Sequence, residues 1–569
     1  MRGPWAALAS LARLYPWDVA PGEDLRRALG FLDAPVSPET VVRGGYGAAL
    51  ACLPAVGVGL AVTPRPFVVP AALVGLGVLL GLVHVVHRSP RLLATARRTR
   101  ALGDAPALVG RVVLRMRVTP ALETAAAFAA RTGTGPLAAS LDDHVRRSAG
   151  QGRSGLASFS EEWVEWFPAL RRGLLLVESA DTASPAERER TLDRGLEAVL
   201  AGARDRTAEF AAGLRAPTTA LYAFGVLLPL ALVALLPAVQ LTGVSLPLWV
   251  VVLCYDLLLP AGVLVASAWL LARRPVTFPP PAVSRNHPDL PDRRWPPVVA
   301  GLGAAGLGAA SATAVVGWWA GPVAGLGCGT GVALVGYYRP MTAVRDRVNA
   351  VEEGLTDALY FVGRRVEEGR AVETAIAEAA DEIPAATGAV FESAARRQRQ
   401  LKVDVETAFL GEHGALADVP SPRARSTASL LALAGREGRP VGGAIVAMAD
   451  NLDEMAAVER AARTDIASVT STLTNTAAVF APLVAGATVA MSEGMTLEGE
   501  LTASGGPSTG ELGLAVGIYV LVLAVVLTVL STGLARGLDR ALVGYRSGVA
   551  LVAATTTYLV AVVGAGLLV

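Results

Sequence analysis

One carboxylate stands where the chain is otherwise almost continuously apolar: Asp256, in VVLCYDLLLPAG. A charged side chain inside a membrane-length apolar run costs roughly 2.5–3.5 kcal/mol on insertion scales, so Asp256 is expected to face protein or water. Two roles suit it inside a span: a proton or ion relay, or a polar contact between neighbouring helices that uses backbone freed near Pro260. A span centred differently would instead place it nearer an interface. The remaining groups that could carry chemistry are scattered. His84 and His87 share a helix face at i, i+3, which suits an interfacial polar anchor better than a metal site, and His144, His287 and His413 lie far from them. Cys52, Cys254 and Cys328 all fall inside apolar runs with no CxxC spacing, so they read as small packing residues.

No GxxxxGK[ST] phosphate loop, HExxH or GxSxG elbow occurs. No catalytic, cofactor-binding or metal-binding residues are therefore expected, and the chain is not read as an enzyme. A second kind of chemistry is recognition by charge. Arg364, Arg365, Glu367, Glu368 and Glu373 gather around Gly369 at the end of an amphipathic helix, as candidate positions for docking a partner or as a solvated helix face.

The elements that must position these residues are mostly membrane-length. Of 569 residues, 53% are hydrophobic and 17% charged, which places the chain in the membrane class. A net charge of +1 gives no sign of nucleic-acid binding. The start, MRGPWAALASLARLYPW, lacks a sustained apolar core, and no removable signal peptide is expected. Nine runs have about the 20 residues needed to cross a ~30 Å hydrocarbon layer: Tyr46–Val62, Phe67–Val86, Ala220–Val239, Leu246–Leu271, Pro297–Trp318, Gly321–Tyr338, Thr476–Met491, Leu512–Leu534 and Gly548–Val569.

Basic residues set the expected orientation, because Arg-rich loops stay in the cytoplasm. With the N-terminus inside, segments 1–45, 87–219, 272–296, 339–475 and 535–547 are cytoplasmic and hold every basic residue except Arg65. The linker Ser492–Glu511 carries Glu493, Glu498, Glu500 and Glu511 without Lys or Arg, and lies outside. The expected protein is a multi-pass cell-membrane protein whose C-terminus is outside.

The expected organisation is an N-terminal cytoplasmic or interfacial segment (1–45), a transmembrane pair (46–86), a first cytoplasmic helical bundle (87–219), a second pair (220–271) and a linker (272–296). A third pair (297–338), a second bundle (339–475), a fourth pair (476–534) and a basic loop with a last span (535–569) follow. In the second bundle Val348, Val351, Leu355, Leu359, Val362 and Val366 form one helical stripe. Gly369, Pro384, Gly411, Gly414, Pro420 and Pro422 then divide it into short helices. A later helix aligns Ile445, Met448, Leu452, Met455 and Val458 and is expected to run through SVTSTLTNT into the seventh span. The first bundle predicts a helix over Leu92–Val118, a break at Pro120, and a charged helix from Pro185 that leads into the third span. No segment alternates with period two, so no sheet is expected. Near the N-terminus, Trp5, Leu8, Leu11 and Leu14 share a face that would lie on the membrane or cap the first bundle. Gly321/Gly325 and Gly327/Gly331 allow close helix approach, within the bundle or across a homodimer.

The two halves also match in sequence. RMRVTPALETAAAFAA (115–130) aligns with RVEEGRAVETAIAEAA (365–380) at an offset of 250, with Arg115/Arg365, Ala121/Ala371, Glu123/Glu373, Thr124/Thr374 and Ala125/Ala375 identical. Pro229 and Pro482 recur inside the third and seventh spans. With the repeated order of spans and bundles, this reads as an internal duplication.

VEEGRAVETAIAEAA (366–380), preceded by DALYFVGRRV, resembles the signature of the type II secretion system F domain family. LLALAGREGRPVGGAIVAMADNLDEM (430–455) resembles that family's later element, a helix ending in a Glu–x–Gly-type turn before a long helix that enters a proline-containing span. The layout looks most like the archaeal PilC/TadC-like pilus-assembly platform proteins. The first half departs from the pattern, with VESADTASP (177–185) in place of the Glu–x–Gly turn. The resemblance implies an all-α polytopic platform protein. Its partners would be a hexameric secretion ATPase, pilin-like subunits and membrane lipids, and it would hold no cofactor. A secondary transporter built on duplication and Asp256 is the competing expectation.

Overall fold

The computed structural model describes residues 3–63, 65, 68–133, 135–148, 154–229, 231–232, 235, 248–274, 287–291, 293, 295–383, 385–437, 442–498 and 508–567. Every regular element among them is helical, and they form two compact units.

The first unit holds residues 1–101 and 269–274. It contains α1 (Gly3–Ala12), α2 (Glu23–Leu32), α3 (Pro38–Val62) and most of α4 (Val68–Gly103). Ser37 starts α3 by accepting a hydrogen bond from the Thr40 N–H at 3.2 Å, with Pro38 at the first helical position. Leu25 and Leu29 of α2 and Val41 of α3 form the small core, with Trp5 and Leu8 packed on it. Helix α1 lies directly against α3: a Cβ at Gly44 would fall 2.8 Å from the Leu8 side chain, and one at Gly47 would fall 1.9 Å from the Leu11 carbonyl oxygen. The Trp5–Leu8–Leu11 face therefore packs on the first membrane-length helix. Leu14 lies beyond α1 and is 52% exposed. His87 anchors α4 to α3, with Nε2 3.0 Å from the Val42 carbonyl and its ring edge-on to Tyr46.

The second unit holds residues 102–268 and 275–569. Its first bundle comprises α5 (Ala105–Val118), α6 (Leu122–Thr132), α7 (Pro136–Ser148), α8 (Gly155–Trp163), α9 (Pro168–Ser179) and α10 (Pro185–Tyr222). A π-helical turn, Ala223–Leu227, continues α10; α11 (Leu248–Val252), a second π-turn (Leu253–Leu258) and α12 (Leu259–Arg273) follow in the sequence. Next are α13 (Pro296–Val315) and α14 (Ala320–Glu353), then the second bundle: α15 (Leu355–Glu367), α16 (Val372–Glu382), α17 (Ala385–Leu401), α18 (Val405–Leu410), α19 (Pro422–Glu437) and α20 (Gly442–Asn475). A third π-turn (Thr476–Phe480), α21 (Ala481–Glu498), α22 (Thr509–Arg536) and α23 (Arg540–Gly566) complete the chain.

Among the described residues, eight helices are long and apolar enough to cross a membrane. Their apolar side chains also point outward: Val58, Val62, Leu73, Leu302 and Leu307 are each more than 60% exposed. Exposed aliphatic surface on that scale needs a lipid or protein cover. The protein is thus an all-α polytopic membrane protein. The third expected span, Ala220–Val239, runs into residues outside those described, as do Pro384 and the Gly438–Val441 part of the Glu–x–Gly-type turn.

Two expected helices are each broken once. The stripe from Val348 to Val366 is divided at Gly354, where a Cβ would meet the Thr387 side chain at 2.4 Å. Thr387 donates to the Val351 carbonyl at 2.9 Å and fills the gap between α14 and α15. Because Val351 and Leu355 are both buried, the apolar spacing stays in phase across the break. The expected helix Leu92–Val118 is divided at Asp104, where α5 begins with Pro106 in its first turn. Three other expected helix boundaries are kept: Pro120 separates α5 from α6, α10 starts at Pro185 and reaches Tyr222, and α20 continues through the Ser/Thr-rich stretch into α21.

Candidate functional site

Helices α10 and α20 each lead out of a bundle through a π-turn. The cause is local. Each π-turn is followed, two residues on, by a proline: Pro229 after Leu227, Pro260 after Leu258 and Pro482 after Phe480. Proline has no N–H and its ring collides with the carbonyl four residues back, so the preceding turn widens. Pro229 thereby leaves the Gly225 carbonyl without its usual partner, and the buried Tyr519 hydroxyl of α22 donates to it. Tyr255 donates to the Pro229 carbonyl at 2.9 Å, and its ring meets Tyr519 edge-on at 5.8 Å. Tyr558 of α23 donates to the Gly513 carbonyl at 2.7 Å and stacks edge-on against Trp319. Hydroxyl groups thus fix the Ala223–Leu227 π-turn to α11–α12 and α22.

The two bundles meet along α10 and α20. Arg204 pairs with Glu454 at 3.1 Å, and Arg111 of α5 donates to Ser426 of α19 at 2.6 Å. Neighbouring positions of α20 contact α5 and α15: a Cβ at Gly110 would lie 2.5 Å from Asn451 Nδ2, while the Tyr360 hydroxyl bonds Asp450. Helices α5 and α15 start at Ala105 and Leu355, and α6 and α16 at Leu122 and Val372, both pairs at an offset of 250.

The charged patch lies at the α15–α16 turn. Helix α15 closes with the Arg370 N–H on the Arg365 carbonyl and the Gly369 N–H on the Val366 carbonyl, both at 3.0 Å. Gly369 has φ +94°, the left-handed conformation that glycine adopts most easily at such a terminus. Arg364, Glu367, Glu368 and Glu373 are exposed. Arg365 is only half-exposed: it pairs with Glu368 at 3.1 Å and Glu378 at 3.2 Å and lies over the Phe361 ring at 5.1 Å. Glu367 rests beside Gly442 at the start of α20, and the Glu373 carboxylate lies near Gly435 of α19. Arg364 makes no ion pair among the described residues. Nearby, Asp404 caps α18, accepting the Thr407 N–H at 2.9 Å and pairing with Arg436 at 3.1 Å. Its bonds from Thr407, and then Arg436, hold its carboxyl down at about 2; Asp404 in turn raises the Arg436 guanidinium.

Asp256 occupies the second π-turn. Its side chain is half-buried, and Oδ1 has no hydrogen-bond partner among the described residues. The glycine positions of α14 are taken up internally. Gly321 and Gly325 face α13 at Thr313, Ala305 and Ala309; Gly327 and Gly331 face Thr555, Val552 and Gly548 of α23 and Leu521 of α22. Among the described residues no cluster of His, Cys, Asp or Glu could hold a metal ion. The Tyr519–Gly225 bond was not expected from the sequence; the only signal for it is a tyrosine within an apolar run and a proline in another run nearly 300 residues away. No protein-family model, curated protein or solved structure matches the chain.

Proposed function

We propose that this protein is an integral-membrane platform of a type IV pilus-like or type II secretion-like machine, a divergent member of the type II secretion system F domain family. Its two bundles, products of an internal duplication, face the cytoplasm and receive a hexameric secretion ATPase. The membrane helices guide pilin-like subunits. The observation that carries this reading is the continuity of α20, its π-turn and α21, matched by α10 and the π-turn of the third span. A long rigid helix transmits displacement from a bundle into the bilayer, and a π-turn beside a proline is a site where its direction can change. The motor would engage the α15–α16 turn, where Arg364 is the exposed charge least tied to its own bundle. Co-purification from native membranes with mass spectrometry tests the proposal: a hexameric ATPase among the retained proteins supports it, and its absence under conditions that keep the protein folded counts against it.

A second reading, a secondary transporter, rests on Asp256. A carboxylate in a membrane helix with an unpartnered oxygen is the usual mark of a proton or ion pathway. Proton-gradient-dependent solute uptake by the reconstituted protein favours it. Loss of function in Asp256→Asn with normal accumulation also favours it.

A further inference from the structure

Where α22 turns into α23, positive charge exceeds what the protein neutralises. Helix α22 ends at Arg536, Gly537 takes φ +84°, and Asp539 caps α23 by accepting the Ala541 N–H at 2.8 Å. Asp539 is also the ion-pair partner of Arg345 of α14, whose side chain is 8% exposed. That single carboxylate is crowded. Arg536 and Arg463 both repel Arg345, and Arg345 and Arg536 both repel Arg546 of α23. The nearby Asp346 offsets part of the charge on Arg345, and Arg463 is bound by Glu459. Arg536, which is exposed, and Arg546, half-buried, pair with no carboxylate among the described residues. Arg536 and Arg546 are therefore left without a counter-ion among the described residues, while Asp539 serves Arg345.

Their position indicates the kind of counter-ion. Helices α22 and α23 are both membrane-length, and these arginines lie at the end they share. Leu538, in the turn itself, is 54% exposed beside Arg536. The Tyr338 ring of α14 packs so closely on α23 that a Cβ at Gly544 would fall 2.2 Å from it. Tyrosine and arginine at the end of membrane helices sit at the level of lipid headgroups, and an apolar tip there enters the acyl boundary. The guanidinium fork matches the paired oxygens of a phosphate, and basic pockets between membrane helices take headgroup phosphates.

We propose that the α22–α23 turn is a binding site for the phosphodiester of an anionic lipid headgroup, held by Arg536 and Arg546, with Arg345 supplying charge behind them. A bound lipid would tie α14, α22 and α23 together at their arginine-bearing end without touching the α15–α16 turn, so the site is independent of the motor.

The test uses the full chain purified in a neutral detergent, titrated with phosphatidylglycerol or phosphatidylcholine and followed by native mass spectrometry. The expected result is one tightly retained phosphatidylglycerol, preferred over phosphatidylcholine on the order of tenfold. Arg536→Gln/Arg546→Gln should abolish that preference, and Arg536→Lys/Arg546→Lys, which keeps the charge but loses the fork, should retain only part of it. Arg190→Gln/Arg194→Gln on α10 should leave it intact. Equal retention of the two lipids, or an undiminished preference in the Gln variant, overturns the proposal. Displacement of the lipid by millimolar inorganic phosphate also overturns it, reassigning the site to a soluble anion.

Discussion

Arg204 and Glu454 form an ion pair at 3.1 Å, and they are 250 residues apart, the offset that also relates α5 to α15 and α6 to α16. A contact between two positions joined by an internal repeat lies on or near the axis that relates the halves. If the halves arose by duplication, α10 and α20 therefore cross at that axis, and each carries its own bundle towards its own proline-bearing span. Both side chains are partly exposed, at 45% and 37%, so the pair should contribute only ~0–1 kcal/mol. Arg204→Glu should lower the thermal midpoint slightly, and the charge-swapped Arg204→Glu/Glu454→Arg should restore it. A swap no better than the sum of its single variants would show that the two side chains do not interact in solution.

Tyr519 makes a different contribution, because its partner is a buried carbonyl orphaned by Pro229. Tyr519→Phe leaves that carbonyl unsatisfied and should cost about 1–3 kcal/mol, measured by thermal or denaturant unfolding in detergent. Pro229→Ala restores the N–H that can bond the Gly225 carbonyl, so Tyr519→Phe should cost clearly less in that background. Equal costs in both backgrounds would contradict this account of the bond.

The Asp404 cap has a definite pH dependence. Its folded pKa, about 2, lies below the ordinary 3.8, so its contribution is complete above pH ~4 and is lost as pH falls through about 2. Asp404→Ala should destabilise the protein by about 1 kcal/mol at neutral pH, as the loss of a helix cap does. Melting curves from pH 6 to pH 2 should show the gap between wild type and variant closing in that acid window. A gap independent of pH would mean that Asp404 acts through packing.

Much of this fold was legible because its signals are local. Apolar run length marks the membrane helices, and the Ile445–Val458 stripe marks α20. Proline at 120, 185 and 422 marks boundaries that the structure keeps. Two helix breaks have causes that apolar spacing does not carry. Gly354 interrupts α14 and α15 without disturbing the apolar spacing, and its need for a missing side chain comes from Thr387, more than 30 residues away. Asp104, two residues before Pro106, is a helix-start signal inside the expected helix Leu92–Val118. Sequence marked Asp256 and the charges around Gly369, but not that Arg365 is bound by Glu368 and Glu378 while Arg364 stays exposed. Such partnerships, like Arg345 with Asp539, join residues on separate helices and leave no trace in spacing.

On the proposed platform function, the α15–α16 turn receives a motor. A photo-crosslinking amino acid placed at Arg364, in the full chain and in native membranes, tests it most directly. Arg364 is exposed and contributes little to its own fold, so the substituted protein should accumulate normally. The predicted result is a crosslink to a hexameric secretion ATPase, absent when the same group is placed at Arg190 of α10. Normal accumulation with no crosslink to an ATPase from position 364 would contradict the account.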